Sequence, residues 1–194
     1  MILESIVTST NLDGSLNVSP MGPNVGDGSM DRFELRPFDT SRTFQNLKRE
    51  KVGVLHVTDD CELFALSAIG RLSMLPDTVD ADQVDCKVLS GACRAYEFVV
   101  EYVDETGPRM NLNCKTVKVH WMRDFWGFNR GKNAILEAAI LATRIQFIPA
   151  DFIRQQFEQF VKIVEKTGGK SEKRAMEHLV QFAESTLEKS SGKV

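Results

Sequence analysis

The chain has 194 residues, 42% apolar and 26% charged, which excludes a disordered chain and leaves enough length for a sizeable core. Its net charge of −3 and pI of about 5.7 provide no basic footprint for nucleic acid or a membrane surface. No apolar stretch reaches spanning length, and no basic region leads into an apolar run at residues 1–5, so neither a membrane span nor a signal peptide is expected.

Four cysteines (Cys61, Cys86, Cys93, Cys114) show no C-x-x-C pairing, and His56, His120 and His178 stand apart. Zinc-type spacing is absent and no metal site is expected. A chain of this length needs no disulfide framework, so the thiols read as reduced and the protein as cytoplasmic.

Residues 2–10 read as a strand, and Asp13-Gly14 as the turn into a partner strand at 16–19. Pro20 is expected to stop that strand, because it has no N–H to give. Gly26, Asp27, Gly28 and Ser29 continue a loop. Phe33-Glu34-Leu35-Arg36-Pro37-Phe38 alternates as a strand does. A short helix at 42–50 precedes a strand at 52–58. Asp59 or Asp60 then caps a helix at 61–69, stopped by Gly70.

Residues 71–91 read as an irregular connection with one short strand near 86–89. Residues 93–104 and 110–121 read as long strands joined by a turn at 104–108. Val117, Val119 and Trp121 alternate with Thr116, Lys118 and His120, which predicts one buried and one wetter face. About six strands on short turns favour a small antiparallel barrel, since closure removes edges.

From Asn129 the pattern is helical. Residues 134–145 are apolar nearly all round, predicting a buried helix. Phe152, Phe157, Phe160, Val161 and Val164 make a stripe on a second helix that ends at Gly168-Gly169. Met176, Leu179, Val180, Ala183 and Leu187 make a stripe on a third, with fraying expected over 190–194. The expected division is a barrel domain at 1–128 and a helical region at 129–194 packed on it.

Two helix starts carry the candidate chemistry. At 40–43, Thr40, Ser41 and Thr43 add hydroxyls and Arg42 adds a forked cation to the free amides of a helix N-terminus, which suits a phosphate. The same residues also fit an ordinary Ser or Thr cap with a solvated arginine. At 129–132, Arg130 and Lys132 oppose the macrodipole of their helix, which an anion seated there would relieve. They would equally be satisfied by solvent or by acids such as Glu137. Trp121, Phe125, Trp126 and Phe128 near the second start, and Phe44 at the first, would suit a flat ring or plain core packing.

No nucleophile elbow, P-loop or dinucleotide fingerprint is present. His56 reads as a core histidine, and His120 as either a surface or a site residue.

Asp13-Gly14-x-x-Asn17-Val18-x-Pro20-Met21-Gly22, then Arg42-Thr43-Phe44-x-Asn46-Leu47, then the apolar strand leading to Thr58-Asp59-Asp60, resemble the FMN-binding split barrels of the flavin reductase type. With the run from Trp126 through Asn129, Arg130 and Lys132 to Arg144, the whole pattern resembles the narrower DUF447 family. The resemblance implies an α+β fold, an antiparallel split β-barrel of FMN-binding type with a C-terminal helical extension. It implies FMN as cofactor and a homodimer with flavin near the subunit interface.

By the same resemblance, Thr43 and Asn46 match phosphate contacts, with Ser41 and Arg42 in the flanking positions and Thr58 a cofactor-binding candidate at the end of the following apolar strand. Asn17, Val18, Ser19, Pro20 and Met21 match the segment along the isoalloxazine. Asn129, Arg130 and Lys132 match the narrower family's own signature, and the dipole argument reads them as a phosphate or ribityl site. The expected function is an FMN-binding flavoprotein, a flavin-dependent oxidoreductase or flavin reductase taking electrons from NAD(P)H or another small redox partner. The alternative is a non-catalytic sensor or carrier for FMN or another phosphorylated ring compound.

Overall fold

The computed structural model describes residues 1–26, 29–107 and 109–191, with 190 and 191 described by backbone alone. The loop residues Asp27 and Gly28, the turn residue Pro108 and the fraying expected at 192–194 lie outside the described residues. The chain forms two compact units, one of Met1–Thr58 with Met74–Phe125, the other of Asp59–Ser73 with Trp126–Val194. They do not follow a single cut, because the helix after Asp60 joins the C-terminal helices.

The first unit holds β1 (Ser5–Thr10), β2 (Leu16–Met21), β3 (Asn24–Val25), β4 (Arg32–Leu35), α1 (Arg42–Glu50) and β5 (Val52–Val57). It continues with β6 (Thr78–Asp80), β7 (Lys87–Leu89), β8 (Arg94–Asp104) and β9 (Asn111–Trp121). Seven strands make one antiparallel sheet in the order β2-β1-β5-β8-β9-β4-β3.

Its two ends are brought together by the N-terminal residues. Ile2 bridges Asn24 in step with the β1–β2 register, where Ser5 faces Met21. Leu3 N donates to Pro23 O at 3.2 Å and Val25 N to Met1 O at 2.8 Å. β3 therefore touches the leading residues of β1 on one side and β4 on the other, which curls the sheet into the split-barrel form.

The Asp13-Gly14 hairpin forms as its sequence predicts. Gly14 takes φ +81°, and the Asp13 carboxylate accepts from Ser15 N at 3.0 Å. Pro20 does not stop β2, which runs on to Met21. The bonded pairs of this ladder fall at 1/25, 3/23 and 11/15, so Pro20, opposite Ile6, sits between them and no ladder N–H is missed.

The barrel core gathers Val7, Phe33, Leu35, Leu55, Phe98 and Leu112, with Phe33 and Phe98 edge to face at 5.3 Å. α1 adds Phe44 and Leu47 to it and ends at Lys51 in the left-handed region, φ 59°. Residues 71–91 contain two strands rather than one. β6 and β7 pair with each other, and Cys86 and Val88 pack on the opposite sheet face against Val54 and Ala95.

The expectation for β9 is reversed. Val117, Val119 and Trp121 are exposed, while His120 is half-buried under that second layer. The core ends at Leu112 and Cys114, and a register shift at Glu97/Phe98 follows, so the far half of β9 runs past the core.

The second unit holds α2 (Cys61–Ala68), α3 (Arg130–Ala142), a 3₁₀ turn (Ile145–Phe147), α4 (Ala150–Thr167) and α5 (Lys170–Ser191). α3 is not buried all round. Ala134, Ile135, Ala138, Ala139 and Ala142 are buried, while Asn133 and Glu137 face outward. On α4 the buried stripe is Ile153, Phe157 and Val164. Phe152 is exposed, and Phe160 and Val161 are half-buried. Met176, Leu179, Ala183 and Leu187 are buried on α5 as the spacing predicts, with Val180 half-buried. A methyl on Gly131 would meet Gly168 N at 3.1 Å, so glycine here serves backbone against backbone. Among the described residues, no helix is long and apolar enough to cross a membrane.

Candidate functional site

The start of α1 is built from three strictly local choices. Ser41 is the N-cap, extended at φ −73°, ψ 140°, and its Oγ accepts from Phe44 N at 3.1 Å. The first amides of a helix have no carbonyl within it to bond, and no acid occupies this first turn. Arg42 is exposed at that edge. The Asp13 carboxyl lies below its usual range, chiefly through the Ser15 hydroxyl and amide, with a smaller contribution from the Arg42 charge.

Behind this edge, Thr43 and Asn46 are buried and turn inward. Asn17 Nδ2 donates to Ser9 Oγ and to Thr43 Oγ1, each at 3.1 Å. Asn46 Nδ2 donates to Ser9 Oγ at 3.2 Å and to Asn11 Oδ1 at 2.8 Å. Arg49 Nη2 donates to Thr10 O at 2.6 Å. One polar network thus fixes the helix start to the β1–β2 hairpin, and it unites two motifs that lie far apart in the chain. Val18, Ser19, Pro20 and Met21 follow half-buried along β2, with Met21 packed on the barrel core. Thr58 is half-buried just past the end of β5.

Sequence reasoning missed Ser9 and Asn11. Their signal was faint: polar residues at the end of a strand otherwise rich in β-branched residues.

In the second unit, the residues at the start of α3 are largely engaged. Asn129 caps the helix, its Oδ1 accepting from Lys132 N at 3.0 Å, and its Nδ2 donates to Thr167 O at 3.0 Å. Lys132 Nζ donates to Asp59 O at 2.8 Å, and lies 3.4 Å from Asp59 Oδ2 and 4.0 Å from Glu172 Oε1. The acids beside Lys132 therefore come from the start of α2 and from α5. Arg130 is exposed.

Glu172 is buried, and Cys61 Sγ donates to its Oε1 at 3.6 Å while Gly169 N donates to Oε2 at 2.8 Å. Burial, then the Glu172 charge, pushes the Cys61 thiol up to about 12, so it is no nucleophile. Trp126 and Phe128 are 87% and 98% exposed, so core packing does not account for them.

Asp82, Glu97 and His120 bring one ligand atom each within 4.8 Å of one another, the spacing a metal ion would need. Their present partners read otherwise. Fully buried Glu97 accepts from Asp82 N and Gln83 N at 2.7 Å each and from His120 Nε2 at 2.5 Å, while Asp82 pairs with Lys118 at 3.1 Å. Burial works to raise the Glu97 carboxyl, but these donors hold it below its usual range. The group clamps the 81–86 segment to the sheet. His120 takes part in it from the half-buried face.

His56 is fully buried between Ile6 O at 3.2 Å and Leu89 N, which donates to Nε2 at 3.0 Å. Its Nδ1 therefore carries the proton, as a core histidine's would.

Comparison with known proteins bears on this geometry. An FMN-bound protein of the DUF447 family from Methanosarcina mazei is 26% identical, with a TM-score of 0.78, over 93% of this chain and 94% of that one. The fold alone is shared with two others. An NADH:FAD oxidoreductase from Streptomyces globisporus is 12% identical, with a TM-score of 0.51, over 61% and 69% of the two chains. An FMN-binding protein from Thermus thermophilus is 17% identical, with a TM-score of 0.50, over 61% and 71%. Comparison with the curated proteins gives no match. The family model described as protein of unknown function DUF447, N-terminal domain, matches residues 3–123, and its DUF447 C-terminal counterpart matches 129–181. With both models matched in order, the chain belongs to the DUF447 family.

Proposed function

We propose that this chain is an FMN-binding flavoprotein that works as a flavin-dependent oxidoreductase, with NAD(P)H or another small molecule as redox partner. The observation that carries the reading is the network of Asn17, Ser9, Thr43 and Asn46. It presents the Ser41–Arg42 edge beside the 17–21 segment. In this reading the phosphate takes the first-turn amides of α1, Ser41 and Arg42, with Thr43 and Asn46 holding the helix start in place. The 17–21 segment flanks the ring, and the β1–β5 register sets Thr58 just past the Met21 end of that segment rather than at the helix start. Lys132 is compensated by carboxylates and adds no net charge to any anion seat at Asn129 and Arg130.

The flavin supplies hydride and electron transfer when bound. The chain's residues bind it, orient it and exclude water from it. The FMN-bound relative of the same family supports the cofactor.

A homodimer with the flavin near the subunit interface completes this reading. Cytoplasmic residence fits four buried cysteines that form no disulfide among the described residues. A carrier or sensor role is the second reading. It is favoured by the absence of any histidine or cysteine from the seat residues named above.

The test is an absorption spectrum of the purified protein before and after FMN addition and desalting. Flavin bands retained by the protein, and weakened in Arg42→Gln, are expected. No retained flavin and no quenching of FMN fluorescence on titration would overturn the reading. Steady NAD(P)H oxidation by the loaded protein separates enzyme from carrier.

A further inference from the structure

The β-ladder registers carry a second polar feature toward the end of β2 that lies away from α1. Val57 on β5 pairs with Arg94 on β8, and Arg94 pairs with Trp121 on β9. Ser5 pairs with Met21 on the other side, and the Ile6–His56 pairing brings Ser5 beside Val57. Met21, Ser5, Val57, Arg94 and Trp121 thus form one cross-strand line at the level where the 17–21 segment ends. Four residue steps along β2 separate Asn17 from that line, about 13 Å at strand rise.

Within it, the Arg94 guanidinium lies over the Trp121 ring, 3.8 Å from its centroid. The stack fixes the plane of the cation and leaves its N–H fork to be met. Arg94 has no carboxylate partner among the described residues. Arg42, Arg71, Arg109, Arg130 and Arg144 are exposed to water, but Arg94 is half-buried and loses part of its hydration. Trp121 itself is 66% exposed, and Val119 lies two residues before it on the same strand face. A held cation beside an apolar, aromatic surface fits a planar compound that carries an anionic oxygen group.

We propose that Arg94, stacked on Trp121, receives the carboxylate or phosphate of a planar aromatic redox substrate. This deepens the flavoprotein reading and rests on it. The flavin would belong to the α1 seat and the 17–21 segment, and the second reactant would be oriented by its charge from the Arg94 end.

The test uses the full chain with Trp126→Phe, which leaves Trp121 as the only tryptophan. Trp121 emission is titrated at constant ionic strength with benzoate, with inorganic phosphate and with neutral benzamide. A saturable response to benzoate, at least as strong as that to phosphate and lost on exchange for benzamide, is expected. Arg94→Gln should weaken it about tenfold or more, the loss of one charge-assisted contact. Arg94→Lys should recover part of it.

A phosphate response without a benzoate response would overturn the aromatic part and leave a bare anion seat. No response, or an equal one in Arg94→Gln, would overturn the whole. FMN retention is measured on the same samples. Retained FMN without an anion response sinks this inference alone, and an anion response without FMN sinks the flavin reading. Loss of FMN in Arg94→Gln would assign Arg94 to the cofactor instead, and a changed sedimentation coefficient would assign it to a contact between copies. Either result overturns the proposal.

Discussion

Asn17 Nδ2 lies 3.1 Å from Thr43 Oγ1, although 26 residues of chain separate them. This contact converts two short motifs into one surface, because it fixes where the first turn of α1 stands against the hairpin. Removing it by Asn17→Ala takes the Asn17 donor from Thr43 Oγ1 and leaves Ser9 Oγ with Asn46 Nδ2 alone. The expected cost is about 1–3 kcal/mol of stability. FMN affinity should fall as well, because the first-turn amides lose their fixed position. Denaturant midpoints and FMN titration check both. Unchanged FMN affinity in a destabilised variant would detach the network from the cofactor seat.

The buried His56 makes stability depend on pH. Burial, partly offset by the Ile6 carbonyl, pushes its pKa from 6.5 down to about 4. Between those values the unfolded chain takes up a proton that the folded one refuses. Stability from this group is therefore complete above pH 6.5 and drains away as pH falls toward about 4. The whole effect is about 3 kcal/mol at 1.36 kcal/mol per unit. Urea unfolding at a series of pH values should show this slope, and His56→Gln should flatten it. An equal slope in the variant would place the titration elsewhere.

The strand and helix pattern of the chain was legible because its signals are local. Asp13-Gly14, Asp60 and Ser41 each act within a few residues, and each does what its type predicts. The failures share a different cause. Val119 and Trp121 looked like a core face because the period of a strand says which residues share a face, not which face is covered. Lys132 looked poised for an anion because Asp59 and Glu172 approach it only after α2 and α5 pack against α3. Arg94 escaped notice for the same reason, since its partner Trp121 is set by ladder register.

Gly53 shows how tightly the barrel closes around α1. A methyl there would stand 2.7 Å from Phe98 Cζ, 2.9 Å from Leu47 Cδ2 and 3.1 Å from Thr8 O. Phe98 and Leu47 are fully buried, so neither can swing into solvent. Gly53→Ala should cost about 1–3 kcal/mol by overpacking. The expected signature is a lower denaturant midpoint with an unchanged m-value. A neutral or stabilising result would mean that α1 shifts freely against the sheet, and the fixed seat at its start would lose its basis.

Lys132 separates the two roles open to a cation at a helix start. It sits against the carbonyl and carboxylate of Asp59 and near buried Glu172. Lys132→Met keeps the length of the stem and removes the charge, so Asp59 and Glu172 lose the Lys132 cation. Burial works to raise the Glu172 carboxyl, and the Gly169 amide and the Lys132 charge are among the influences that hold it low. Without Lys132 its pKa should rise toward the unfolded value, so less stability is left for Glu172 to lose and the fall on lowering the pH should become shallower. A loss of about 1–3 kcal/mol near neutral pH is expected for breaking a partly buried pair of this kind. FMN retention should not change if the cation is internal, whereas a cation that met the phosphate would show its loss in the desalted spectrum before any loss of stability.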